Sequence, residues 1–298
     1  LLIFMEHKVI VVAGPTASGK TVLALTWAKR LGTEIINFDS RQVYQELCIG
    51  VARPSDAELQ TIPHHFIGSH SIQNPLNAAK FSEIARVKAV ELIEKYGSVV
   101  LVGGTGLYLQ AFLEGLDYFP EISPELREEV SELYRLEGLS GLTMALYALD
   151  PNAFEWVQKD NPARLMRALE ITRASGIPVS EWRKNKGTSF AYPSKIYCVD
   201  WPRKQLYERI NSRVDHMIDM GLEKEVEELM AFKDLPVMRA VGYSEIYEYL
   251  EGNLNRDQAI HLIKQKTRNY AKRQITWFKN KTSSEWHDLE GLKKLYLS

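Results

Sequence analysis

The chain has 298 residues, 45% of them hydrophobic and 25% charged, and a formal net charge of -1. That balance excludes a disordered or low-complexity protein, and it gives no global sign of a nucleic-acid or membrane partner. The two cysteines, Cys48 and Cys198, are too few for a disulfide framework and too far apart for a metal knuckle, so both are expected as buried thiols in a reducing, cytoplasmic setting.

Taken in order, the chain opens with Leu1 to Phe4, an apolar stretch too short for a signal peptide or a span, and Met5 is expected to lie closer to the natural start. No later apolar run approaches membrane length, so no membrane partner is expected. The run Val9 to Ala13 reads as a strand and leads into Gly14-Pro15-Thr16-Ala17-Ser18-Gly19-Lys20-Thr21, with a helical pattern from Thr21 to Leu31. This is G-x-x-x-x-G-K-[ST] in its strand, loop, helix setting. Backbone amides freed by the glycines turn toward phosphate oxygens, Lys20 adds a point charge, and the Thr21 hydroxyl suits magnesium. A site for a di- or triphosphate follows.

Further apolar runs at Glu34 to Phe38, His65 to Gly68, Val99 to Val102 and Ile196 to Val199 alternate with helical stretches. The alternation predicts an α/β fold: a P-loop NTPase-like parallel sheet with helices on both faces. Ligands in such sheets gather at the carboxyl ends of the strands, where the notable motifs fall. Asp39 in Asp39-Ser40-Arg41-Gln42-Val43-Tyr44 can hold magnesium through water, act as a general base, or cap the turn that follows. In Gly103-Gly104-Thr105-Gly106-Leu107-Tyr108, Thr105 can reach the phosphates, or the glycines can simply permit close packing. The strand ends in glycine where a P-loop NTPase places a magnesium-binding acid, which weakens an ATPase reading.

Residues 119–194 read as a helical insertion, which divides the chain into a core of residues 1–118 and 195–298 and this second domain. Pro124 to Gly138 is charged and amphipathic, Leu139 to Leu149 is apolar, and Asn161 to Ser175 has an N-cap in Asn161, Pro162 at its first position and Gly176 beyond its end. Arg164 and Arg167 share a face of that helix, and Gly187 to Pro193 reads as the exit linker. Leu206 to Met220 carries Arg209 and Arg213 four residues apart, Leu222 to Phe232 is acidic on its solvent side, and Arg239 to Tyr243 is a glycine-interrupted turn. A long helix from Arg256 to Asn280, capped by Asn255, carries Lys264, Lys266, Arg268, Lys272, Arg273, Lys279 and Lys281 without an acidic residue between them, interleaved with Tyr270, Trp277 and Phe278. Such a run is either a solvated face or a nucleic-acid patch. Residues 282–298 carry no signal.

These motifs together resemble the tRNA dimethylallyltransferases, also called tRNA isopentenyltransferases, over roughly Val9 to Trp277. The segments are GPTASGKT (14–21), DSRQVY (39–44), GGTGLY (103–108), DNPARLMRALEI (160–171), RAVGY (239–243) and AKRQITWFK (271–279). The resemblance implies transfer of a dimethylallyl group from dimethylallyl diphosphate to N6 of adenosine 37 in the anticodon stem-loop of tRNA. It implies that Gly14 to Thr21 holds the donor's diphosphate rather than ATP, with Mg2+ on Thr21. Asp39 then resembles the general base, Thr105 a phosphate and tRNA-side contact, Arg213 a diphosphate ligand and Arg127 a tRNA contact. Asp39-Ser40-Arg41-Gln42, Ala163-Arg164-Leu165-Met166-Arg167, Arg239-Ala240-Val241-Gly242-Tyr243-Ser244 and Lys272-Arg273-Gln274-Ile275-Thr276-Trp277-Phe278-Lys279 resemble the segments that line the tRNA side. A monomer is expected.

The chain departs from the family pattern in two places. Ile49-Gly50-Val51-Ala52-Arg53-Pro54 stands where the family commonly has IGTAKP, and Asn77 to Phe81 follows its pattern loosely. A Cys/His finger like that of longer eukaryotic relatives is absent. The rival readings are a P-loop nucleoside or metabolite kinase, an adenylate isopentenyltransferase, and an RNA-binding module with a relict nucleotide site.

Overall fold

The computed structural model describes residues 7–116, 119–182 and 187–295; the expectation for Met5 lies outside them. The chain packs as two compact units, one formed by Leu1–Leu113 with Phe190–Ser298 and the other by Glu114–Ser189.

The first unit is built on the Val- and Ile-rich runs. Strand β1 (Val9–Ala13) is followed by helix α1 (Lys20–Leu31), β2 (Ile35–Asn37), α2 (Asp56–Thr61), β3 (His64–His65), α3 (Ala78–Tyr96), β4 (Val99–Gly103) and α4 (Gly106–Glu114). Every residue of β1, β2 and β4 is buried, as strands covered on both faces require. Six strands lie side by side in the order β3-β2-β4-β1-β5-β6, all parallel, with β5 at Ser194–Asp200 and β6 at Glu285–Asp288. In register, Val11 of β1 sits between Leu101 and Ile196. The expectation of a parallel α/β sheet therefore holds, and its topology brings Gly14, Phe38–Asp39, Gly103 and Trp201 to one edge.

Two readings of this unit change. The third strand is His64–His65 rather than His65 to Gly68, because Phe66 takes a left-handed φ of 65° and ends the pairing. The tail from 282 onward supplies β6 and a final helix, Leu289–Leu295, whose Leu292 is fully buried against Leu23 and Trp27 of α1. The tail carried no signal because a short edge strand has no strong period of its own. Cys48 is also not a buried thiol; it is exposed, whereas Cys198 is buried and its thiol is pushed up to about 12 by that burial.

The second unit has its own core, around Val130, Leu142, Leu146, Leu165 and Leu169. Its long helix α5 (Pro124–Leu149) is interrupted at Gly138, where φ is 64° and ψ is −155°, at the junction where the charged pattern gives way to the apolar one. Helix α6 (Pro162–Ser175) starts as its sequence predicts: Asn161 accepts from the amide of Arg164 at 3.2 Å, Pro162 occupies the first turn and Gly176 ends the helix.

Because Leu292 fills the core beside α1, Leu292→Ala is expected to remove about 2–4 kcal/mol of stability. A urea midpoint equal to that of the parent chain would contradict this packing.

Candidate active site at the strand ends

The loop after β1 is a curved cradle. Gly14, Ala17 and Gly19 have φ of 145°, 63° and 86°, and Gly19 delivers the chain into α1. Two long side chains hold it from outside. Trp201 donates from Nε1 to the Ser18 carbonyl at 2.9 Å, Arg209 donates from Nε to the Ala17 carbonyl at 2.8 Å, and the Arg209 guanidinium stands 4.5 Å over the Trp201 ring. Arg209 and Arg213 come from helix α7 (Arg203–Asp219), whose buried Leu206 and Ile210 pack with Ala17 of the cradle and Ala271. The predicted four-residue spacing thus puts one arginine under the cradle and the other beside it.

The third clamp is Gln274, on helix α8 (Arg256–Lys281). Its carboxamide accepts from the Thr16 amide at 2.8 Å and donates to the Gly104 carbonyl at 2.9 Å. Glycines 104 and 106 exist for this contact: a Cβ on Gly104 would lie 2.2 Å from Gln274 Nε2, and one on Gly106 would lie 2.2 Å from the Trp277 ring. The packing alternative for the Gly-Gly-Thr-Gly segment is what the structure displays, and Gln274 and Trp277, three residues apart on one helix face, are its counterpart.

Two cavities open on the cradle. The larger, about 810 Å³, runs from Ala17 to Thr21 past Asn37 and His64 to the polar face of α7. The smaller, about 380 Å³, is walled by Ser40, Arg41, Thr105, residues 239–242, and Ile263, Tyr270 and Arg273 of α8. Both are lined by Thr16, Lys20, Asp39, Val51 and Arg213. These five residues form the junction.

The junction concentrates charge. Lys20 donates to the Pro15 carbonyl at 3.2 Å, and its ammonium is pushed down to about 8, first by burial and then by Arg213, with Asp39 opposing. Arg213 donates to Thr16 Oγ1 at 3.2 Å and to the Ala52 carbonyl at 3.3 Å; burial lowers it too, and Asp39 opposes again. Asp39 Oδ1 accepts from the amides of Arg41 at 2.9 Å and Gln42 at 3.3 Å. Asp39 therefore caps its turn, and because only Oδ1 makes these bonds, capping leaves Oδ2 for a substrate.

Thr105 accepts from the Ser40 amide at 3.0 Å, donates to Ser40 Oγ at 3.2 Å and is hydrogen-bonded to Tyr270. It lines the smaller cavity together with Thr16 and Lys20 of the cradle. The Tyr270 hydroxyl is pushed up to about 12, by burial and then by Asp39. Sequence reasoning had this tyrosine only as an aromatic among basic residues; helical spacing from the buried Gln274 was the signal that it faces inward.

The basic run of α8 divides. Lys264 pairs with Asp215 at 2.5 Å and Lys266 with Glu245 at 2.6 Å, and that buried carboxylate also accepts from the Gly242 amide. Lys272, Arg273, Thr276 and Lys279 are exposed, whereas Gln274 and Phe278 are buried and Ile275 and Trp277 half-buried. Only one face of the helix remains open to a nucleic acid. Of the turn 239–244, Arg239 is exposed, Ala240, Val241 and Ser244 are half-buried, and Tyr243 is in the core. In the second unit Arg127, Ala163, Arg164 and Arg167 are exposed, Met166 is half-buried and Leu165 is in the core.

The departures from the family pattern also separate. Arg53 donates to the carbonyls of Tyr44 at 2.5 Å and Leu47 at 2.8 Å, a backbone clamp, whereas Val51 stands at the junction. Asn77 caps α3 by accepting from the Lys80 amide at 2.9 Å. Among the described residues no helix is long and apolar enough to cross a membrane.

A family model described as IPP transferase matches residues 42–281. The chain is 38% identical to a tRNA dimethylallyltransferase of Cytophaga hutchinsonii over 283 residues, covering 95% of this chain and 93% of that one. It is 39% identical to a tRNA dimethylallyltransferase of Christiangramia forsetii, covering 97% and 96%. Its structure is similar to the crystal structure of the full-length tRNA isopentenylpyrophosphate transferase of Bacillus halodurans, with a TM-score of 0.71, 32% identity and coverage of 98% and 95%.

If Gln274 sets the cradle, Gln274→Ala leaves the Thr16 amide and Gly104 carbonyl without their partner, at about 1–3 kcal/mol each. Amide hydrogen exchange at Thr16 should accelerate at least tenfold; unchanged protection would show that the clip does not hold the loop.

Proposed function

The chain belongs to the IPP transferase family, and from this we propose that the two cavities serve one group transfer, the larger taking the leaving diphosphate and the smaller the accepting base. The enzyme is a prenyl transferase that moves a dimethylallyl group to tRNA. The observation that carries our reading of the site is the junction, where a carboxylate and two cations line both cavities.

The donor is dimethylallyl diphosphate and the acceptor is N6 of adenosine 37. That nitrogen is a poor nucleophile, because its lone pair is delocalised into the ring. Rate therefore depends on the electrophile. As the C1–O bond of the donor breaks, charge gathers on the diphosphate, and preorganised donors there lower the barrier; loss of one such donor typically costs about 10²–10³ in rate. The cradle amides, Lys20 and Arg213 supply this field. As the C1–N6 bond forms, the amine proton becomes acidic and passes to Asp39, whose capped orientation fixes where the oxygen stands.

Magnesium fits this donor set: the Thr21 hydroxyl is a hard oxygen ligand on the wall of the larger cavity. Among the described residues no cluster of His, Cys, Asp or Glu could hold a metal by itself. Such a site suits an ion that keeps waters and takes substrate oxygens, and when bound the ion neutralises charge on the diphosphate.

The adenosine must leave its stack to reach C1, at a cost that a single-stranded loop reduces. Lys272, Arg273 and Lys279 on the open face of α8, with Arg127, Arg164 and Arg167 of the second unit, are the proposed phosphate contacts. Such contacts make tRNA binding salt-sensitive.

In single-turnover transfer from labelled dimethylallyl diphosphate, with magnesium present and tRNA, AMP or ATP offered, label should appear on tRNA alone. Asp39→Ala should lower the rate by at least 10² while tRNA affinity stays within threefold. An unchanged rate would remove Asp39 as the base, and phosphate transfer from ATP would make the enzyme a kinase.

Lys20 sets a pH dependence of definite sign. Its ammonium loses the proton above about 8 in the free site, and a bound diphosphate favours the charged form, so donor capture above that pH takes up a proton. With tRNA saturating, kcat/KM for the donor should be flat well below pH 8, bend near it and fall toward tenfold per unit above it. Lys20→Arg should abolish that alkaline limb; a limb that persists in the variant belongs to another group.

A further inference from the structure

Beside the junction lies a carboxylate that the reaction above does not use. Glu225, on helix α9 (Leu222–Glu228), accepts through Oε2 from the amides of Cys48 at 3.1 Å and Ile49 at 2.7 Å. Through Oε1 it accepts from the Gly50 amide at 3.0 Å and the Tyr243 hydroxyl at 2.5 Å. One side chain thus gathers three consecutive backbone amides and a buried phenol. Gly50 has no room for a side chain, since a Cβ there would lie 2.6 Å from the Tyr243 ring.

The loop held in this way continues into Val51 and Ala52. Both line the smaller cavity, and Val51 lines the larger one as well. The carbonyls of this pair are fixed from the other side: Gln42 Nε2 donates to Val51 at 3.1 Å and to Ala52 at 2.9 Å, and Arg213 donates to Ala52. Tyr243 follows Val241 and Gly242, which belong to the opposite wall of the smaller cavity. Glu225 therefore links two walls that meet where the donor and acceptor compartments join.

We propose that Glu225 is a positioning residue that holds Gly50 to Ala52 as a partition between the diphosphate compartment and the base compartment, and that this partition keeps water from C1 of the donor. The inference rests on the transfer reading of the site. Physically, a dry site is needed because the same polarised C1 reacts with any nucleophile. When water enters, the C1–O bond to diphosphate breaks, the water oxygen bonds to C1 and its proton passes to solvent. The products are dimethylallyl alcohol and diphosphate.

The test uses the full chain with labelled dimethylallyl diphosphate, magnesium and tRNA, and measures label in alcohol against label in tRNA. In Glu225→Gln the carboxamide presents a donor to amides that need an acceptor, so the alcohol-to-transfer ratio should rise at least tenfold and donor KM should rise with it. Tyr243→Phe, which deletes one hydroxyl, should shift the ratio the same way by about threefold. A purely structural role would lower both products together and leave the ratio alone. An unchanged ratio in folded Glu225→Gln overturns the proposal, and if that variant does not fold, an unchanged ratio in Tyr243→Phe does so. A parent chain that places no label on tRNA overturns the transfer reading instead.

Discussion

The site depends on one buried carboxamide. Gln274 satisfies a donor of the phosphate cradle and an acceptor of the turn after β4 at once. Without it, the Thr16 amide and the Gly104 carbonyl would lack this partner, and the cradle loop would be free to open. The glycines at 104 and 106 are conditions of this contact, because α8 approaches so closely that no side chain fits beneath it. A loop preorganised in this way does not have to be ordered by its ligand, which is what catalysis by fixed dipoles requires.

The second constraint is electrostatic. Lys20 and Arg213 are both destabilised as cations by burial, Lys20 further by Arg213 and Arg213 by Arg209, and Asp39 offsets part of that penalty for each. The apo site therefore carries two strained positive charges and one carboxylate, a set completed by an anion. In the transfer we propose, a diphosphate supplies it, and as that group leaves C1 with increasing charge the attraction grows, which would favour the transition state over the ground state. Packing serves the same end, since Arg209 and Arg213 come from α7 and Trp201 from the segment just before it, and together they make a cradle wall.

The basic run of α8 shows why charge in sequence and charge on a surface differ. Two of its lysines are spent on Asp215 and Glu245, the second fixing the turn that walls the smaller cavity. Arg268 bonds Asn211, and Lys272, Arg273 and Lys279, the phosphate contacts we propose, share the exposed face opposite Ala271, Gln274 and Phe278.

The sequence by itself determined what depends on near neighbours. The Val and Ile runs specify buried parallel strands, the glycine-lysine spacing specifies the cradle, and Asn161, Pro162 and Gly176 specify the limits of α6, because propensity, capping and period act over a few residues. The tertiary structure alone decided the contacts made by residues with no local reason to stand out. Gln274 reaches partners 258 and 170 positions away, and Glu225 gathers amides about 176 positions before it. The same holds for the inward turn of Tyr270, the exposure of Cys48 and the addition of β6 at the sheet edge. Each follows from which surfaces meet when the sheet closes, and a pairing across such a distance leaves no period in the chain for a reader to find.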